Sequence, residues 1–171
     1  ISDPRRYALA LMNTILGGNM SSRLFQEIRE RRGMAYAVYS FASSFVDTGM
    51  FGAYVGVDAK NAKTAASLLV DHIRQMAASR VTASELADAK EFTKGNLLLS
   101  TESVDNQMVR LAQNEIHFGR DIPMAEVLAA VDAVSAEEIQ ALAQHLLQNH
   151  PMALTVLGPI DEKDIPEGIL N

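Results

Sequence analysis

The chain contains no cysteine, which excludes disulfides, thiolate metal sites and a cysteine nucleophile. It has no apolar run long enough to cross a membrane, no recognisable signal peptide, no internal repeat and no low-complexity segment. Basic residues are in the minority, with 15 Lys and Arg against 21 Asp and Glu, a net charge of −6. That balance argues against a general nucleic-acid surface while leaving room for a local basic patch. Neither nucleic acid nor membrane is expected as a partner. Several chemical motifs are also missing: H-E-x-x-H, H-x-x-E-H, the G-x-S-x-G elbow and a phosphate-cradling glycine loop.

What remains is an ordinary globular composition, 48% hydrophobic and 21% charged over 171 residues, enough for one domain with a sizeable core. Asp3-Pro4 opens a helix whose apolar residues Tyr7, Leu11, Met12, Ile15 and Leu16 share one side, and Gly17-Gly18 stops it. Ser21 or Ser22 caps a second helix that runs to about Arg32 and ends at Gly33. From Ala35 the period changes to two. Ala37, Tyr39, Phe41 and Phe45 form the bulkier face, expected to be buried. Tyr36, Val38, Ser40, Ala42 and Ser44 form a smaller, more polar face, expected to border a cleft. Asp47-Thr48-Gly49 turns the chain. A second strand follows over 50–57, with Phe51, Ala53, Val55 and Val57 inward and Gly52, Tyr54 and Gly56 outward.

Helices dominate afterwards. One is expected over 62–78. Thr82 and Glu85 have the spacing of a capping box for the next, as do Ser135 and Glu138 for the last. Further helices are expected over 104–118 and from 124, and a third strand over 152–157. The domain is read as 4–159 and the polar residues 160–171 as a tail. Six or seven helices are many for three strands to support. Together with the start at Ile1 rather than Met, this leads to the expectation that one or more strands precede the first helix. The fold class expected is α+β: a two-layer sandwich with a mainly antiparallel sheet and helices on one face.

The four histidines, His72, His117, His145 and His150, do not make a ligand set; the last two are five apart, on different sides of a helix. "LGGNMSS" reads as one helix end followed by the next helix cap. The remaining candidate is "IRERRGMAYAVYS". Glu27, Glu30, Arg31 and Arg32 are explained by a solvated helix face with local pairs, and Tyr36 by an ordinary cross-strand aromatic. Equally, a helix, a glycine turn and a strand can bring Arg29 and Tyr36 to one rim, where a guanidinium and a phenol are hydrogen-bond donors for a carbonyl or an oxyanion.

"RYALALMNTILGGNMSSRLFQEIRERRGMAYAVYSF", followed by "DTGMFGAYVGV", "KGNLLLSTES", "VDAVSAEEIQALA" and "LTVLGP", resembles the insulinase/pitrilysin zinc metallopeptidases, in particular their bacterial and mitochondrial-processing-peptidase-like members. The resemblance implies one half of a clamshell, namely the C-terminal, zinc-free domain. By it, zinc and a glutamate base belong to an N-terminal partner domain, in cis or on a homologous subunit, with a homodimer also open. Arg29 and Tyr36 match the family's arginine and tyrosine that reach a peptide substrate. The tyrosine contacts the scissile carbonyl and oxyanion, and the arginine the neighbouring backbone. The implied protein is a hydrolase of peptides or unfolded segments in the bacterial cytoplasm, or alternatively the mitochondrial matrix, and this chain alone is expected to be inactive. The short "GGNMSS", where the non-catalytic mitochondrial subunit has a long glycine-rich insertion, favours the proteolytic type. The competing expectation is a peptide-binding or structural subunit that takes no part in cleavage.

Overall fold

The computed structural model describes residues 2–170. Helix α1 spans Arg6–Asn13 and continues as a π-wound turn over Thr14–Gly18. A second helical segment is π-wound over Phe25–Arg31. The hairpin β1 (Ala35–Ser44) and β2 (Gly49–Val57) follows. Five helices complete the fold: α2 (Ala62–Ala78), α3 (Ala83–Ser100), α4 (Val104–Phe118), α5 (Met124–Ala133) and α6 (Ala136–Asn149). The architecture is α+β, with α1, α2 and the π-wound turns packed on one face of the antiparallel hairpin.

Local chemistry accounts for most of the boundaries. Both expected capping boxes form: Thr82 and Ser135 each accept from the backbone N–H three residues on, and Glu85 and Glu138 reach back. Gly119 ends α4 in the left-handed region at φ 64°. Gln140 and Gln144 of α6 both donate to the Ala77 carbonyl at 3.1 Å, closing the end of α2. Leu11, Met12, Leu16, Leu24, Ile28, Met76, Val131 and Ile139 are fully buried between these elements.

One expectation changes at the level of the fold. Residues 152–157 form no strand, because alternation supplies β propensity but no ladder partner, and none lies beside them among the described residues. The first helix does end at Gly18, as expected, but Gly17 has a second role. It sits inside the π-wound turn, directly against β1: a Cβ there would lie 2.4 Å from the Ser40 backbone nitrogen and 2.9 Å from the Tyr39 carbonyl carbon. Its missing side chain lets helix and strand backbones touch, and the buried Ser40 hydroxyl donates across that contact to the Asn13 carbonyl at 3.0 Å. Ser22 stands at the start of the second helical segment, as expected: its carbonyl accepts from the Gln26 N–H at 2.9 Å, and the Asn19 side chain accepts from the Ser21 N–H just ahead of it at 2.8 Å. Beyond the last helix, the Ile169 carbonyl accepts from Arg74 of α2 at 3.0 Å, which ties the terminal segment down.

Candidate functional site

The segment leading to the site is short and well anchored. Leu24 and Ile28 are buried under the second helical segment. Arg23 at its start grips Glu85 of α3 with two parallel bonds, 2.7 and 3.0 Å. The Arg23 hydrogen bond, strengthened by the Thr82 backbone bond, holds the Glu85 carboxyl down at about 2 against the cost of burial. At the other end Gly33 turns the chain at φ 59°, its N–H donating to Arg29 and that of Met34 to Ile28. The only side chain that fits this turn without strain is none.

Along the segment the charges sort themselves. Glu27 takes both Arg31 (3.2 Å) and Arg32 (2.8 Å), and the Arg32 hydrogen bond pulls its pKa below the ordinary carboxylate value. Arg29 has no carboxylate partner among the described residues. Its guanidinium lies 5.0 Å over the Phe25 ring, exposed at the surface, a contact that orients the cation without neutralising it.

The hairpin then presents a face that strict alternation misplaces. Val38 and Ser40 are buried, at 6% exposure each, while Tyr39 is 47% exposed. At Val38, Tyr39 and Ser40 the two faces of β1 are therefore the reverse of the sequence expectation, while Tyr36, Ala42 and Ser44 are exposed as expected. Core contact with Gly17 demands a small residue at 40, and bulk on the other side costs nothing because it faces solvent. A bulge between Ala35 and Ala37 leaves Tyr36 unpaired and swings it to the face that carries Tyr39 and Tyr54. There Tyr36, 72% exposed, lies over Gly56. Tyr39 stacks on its cross-strand partner Tyr54 at 5.1 Å, and Phe41 lies over Gly52. The Tyr54 phenol is pushed above its ordinary value, first by the neighbouring Tyr36.

Arg29 and Tyr36 thus both stand exposed on either side of the Gly33 turn, with no hydrogen bond or ring contact joining them among the described residues. The roles open to Tyr54 and Gly56 were not legible beforehand. Their only sequence signal is the alternation Gly-x-Tyr-x-Gly on β2, and it takes the bulge to bring Tyr36 above them.

The histidines gather no metal site. His72 is half-buried rather than a surface residue, with its Nδ1 unpartnered among the described residues and its pKa lowered by burial. The His145 and His150 rings meet edge to face at 6.3 Å. Among the described residues no three His, Asp or Glu side chains converge as metal ligands, so a resident zinc ion does not fit this chain. Likewise no helix among them is long and apolar enough to cross a membrane.

The chain thus joins an antiparallel hairpin with helices on one side to an open aromatic face on the other, with no metal-ligand cluster among the described residues. The comparisons make this specific. Residues 1–92 match the family described as peptidase M16 inactive domain, and the chain belongs to that family. It is 36% identical, over 95% of its length, to an uncharacterized zinc protease of Streptomyces coelicolor. It is 36% identical, over 93% of its length, to one of Bacillus subtilis. It spans 35% and 39% of those two proteins, so their remaining length lies outside the similarity. Among solved structures, the peptidase M16 inactive domain from Pseudomonas fluorescens superposes with a TM-score of 0.72 at 26% identity, covering 83% of this chain and 34% of that one. A chain of complex III from Candida albicans gives 0.73 at 17% identity, over 84% of this chain and 36% of its own, a likeness of fold alone.

Proposed function

We propose that this chain is the substrate-contacting, zinc-free half of a zinc metalloendopeptidase that acts on peptides or unfolded segments. The observation that carries the reading is the pairing of an un-neutralised guanidinium, Arg29, with an exposed phenol, Tyr36, at the mouth of a surface without metal ligands. The names of the relatives, zinc proteases of which this chain spans 35% and 39%, support the assignment of the metal to another domain, in cis or on a homologous subunit.

In this reading Tyr36 donates its O–H to the scissile carbonyl and keeps that bond as negative charge develops on the oxygen. Arg29 binds a neighbouring backbone carbonyl of the substrate and fixes the register of the peptide. Both are donors, as a developing oxyanion requires, and neither needs to change protonation. Hydrolytic power then resides in the assembled pair of halves and in neither alone.

The test is Tyr36→Phe in the intact peptidase. A fall in kcat on the order of 100-fold is expected, the scale of other oxyanion donors, with zinc content unchanged. Wild-type turnover would remove Tyr36 from the chemistry. It would favour a second reading, a non-catalytic peptide-binding or structural subunit, towards which the family description as an inactive domain points.

A further inference from the structure

Tyr36 lands on a surface that is shaped to its ring. A Cβ at Gly56 would lie 2.6 Å from Tyr36 Cζ, 2.7 Å from its Oη and 3.0 Å from Cε2. The phenol end of Tyr36 therefore occupies the volume that any side chain at 56 would fill. Tyr54, two residues away on the same face, is itself held by the stack on Tyr39, 5.1 Å between centroids and 27° between planes. The Tyr36 ring thus rests on the rigid part of the hairpin.

We infer that Gly56 is a positioning residue for the Tyr36 phenol: the bare Gly56 backbone is its seat. The inference rests on the reading of Tyr36 as a substrate donor. An exposed tyrosine on a bulge is otherwise free to rotate, and a donor that must be ordered during the reaction loses part of its effect to entropy. The seat removes that loss.

The experiment uses the intact peptidase, carrying this domain together with its zinc-binding half. Gly56→Ala and Tyr36→Phe are compared singly and together. Gly56→Ala is expected to lower kcat about tenfold through misplacement of a reacting group. KM should stay within about twofold and the thermal midpoint within about 2 °C, because the atoms displaced are the far end of an exposed side chain. Gly56→Ala should not lower kcat further once Tyr36 is phenylalanine. If Tyr36→Phe is damaging while Gly56→Ala retains wild-type kcat, the inference is overturned and the reading of the site survives. Equal losses with and without the Tyr36 hydroxyl, or a midpoint fall of several degrees, overturn it too, because the role is then general support of the hairpin. A harmless Tyr36→Phe removes the reading of the site first and the inference with it.

Discussion

Two glycines in helical backbone should respond to alanine with opposite sign. Gly17 and Gly95 both lie in helical segments outside the left-handed region, so helix propensity alone predicts a gain of up to about 1 kcal/mol for either substitution. At Gly95, on α3, no atom lies within 4 Å of the new Cβ, and that gain should be realised. At Gly17 the Cβ meets the Ser40 nitrogen at 2.4 Å, the Ser40 hydroxyl at 2.8 Å and the Tyr39 carbonyl carbon at 2.9 Å. Two of these are strand backbone and cannot rotate away. Helix and strand must separate by about 1 Å, an overpacking cost of about 1–3 kcal/mol. The Ser40 bond to Asn13, at 3.0 Å, stretches with them and loses up to about 1 kcal/mol. Setting the propensity gain against these terms leaves Gly17→Ala less stable by about 1–3 kcal/mol. For a chain of this size that is a fall of about 3–10 °C in Tm, against a rise of about 2 °C for Gly95→Ala. Thermal unfolding followed by far-UV circular dichroism measures both. If Gly17→Ala matched or exceeded the wild-type Tm, the close approach of the π-wound turn to β1 would be refuted.

Acid should weaken the junction between the second helical segment and α3. Glu85 has a folded pKa of about 2 against an ordinary 4.5, so its stabilising contribution is complete above pH 4.5 and is lost as pH falls from there towards 2. The full displacement corresponds to about 3 kcal/mol, reduced to about 1–2 kcal/mol because Glu85 and Arg23 are partly exposed and screened. Glu85→Gln, which keeps a capping-box side chain, should show a flatter stability profile over that range in urea titrations at stepped pH. Identical profiles would refute the linkage. The purified chain should bind no stoichiometric zinc by metal analysis and cleave no unfolded peptide, since its described residues gather no ligand cluster; chelator-sensitive zinc would contradict this.

Much of the fold was legible in the sequence because its signals are local. Thr82-x-x-Glu85 and Ser135-x-x-Glu138 became capping boxes, since a cap is made within one turn of chain. The inward face of β2 followed the alternation of Phe51, Ala53, Val55 and Val57, which all pack against the core. The third strand failed for the complementary reason: 152–157 has strand composition, but a strand exists only with a partner. The candidate site divides in the same way. Arg29 and Tyr36 stood out as a guanidinium and a phenol flanking a glycine turn. Which of the three arginines is left un-neutralised depended on Glu27 reaching Arg31 and Arg32 in space.

The sequence by itself determined the helix limits, the glycine turn at 33, the inward face of β2 and the absence of thiol chemistry, because each follows from residues within a few positions of one another. Only the tertiary structure decided that β1 shows Tyr39 to solvent and buries Ser40, and that Tyr36 joins Tyr39 and Tyr54 on the open face. Those outcomes depend on a one-residue bulge and on Gly17 pressing against a strand more than twenty positions away. A shift of one residue reverses every side chain of a strand, and no pattern within the strand itself records that shift.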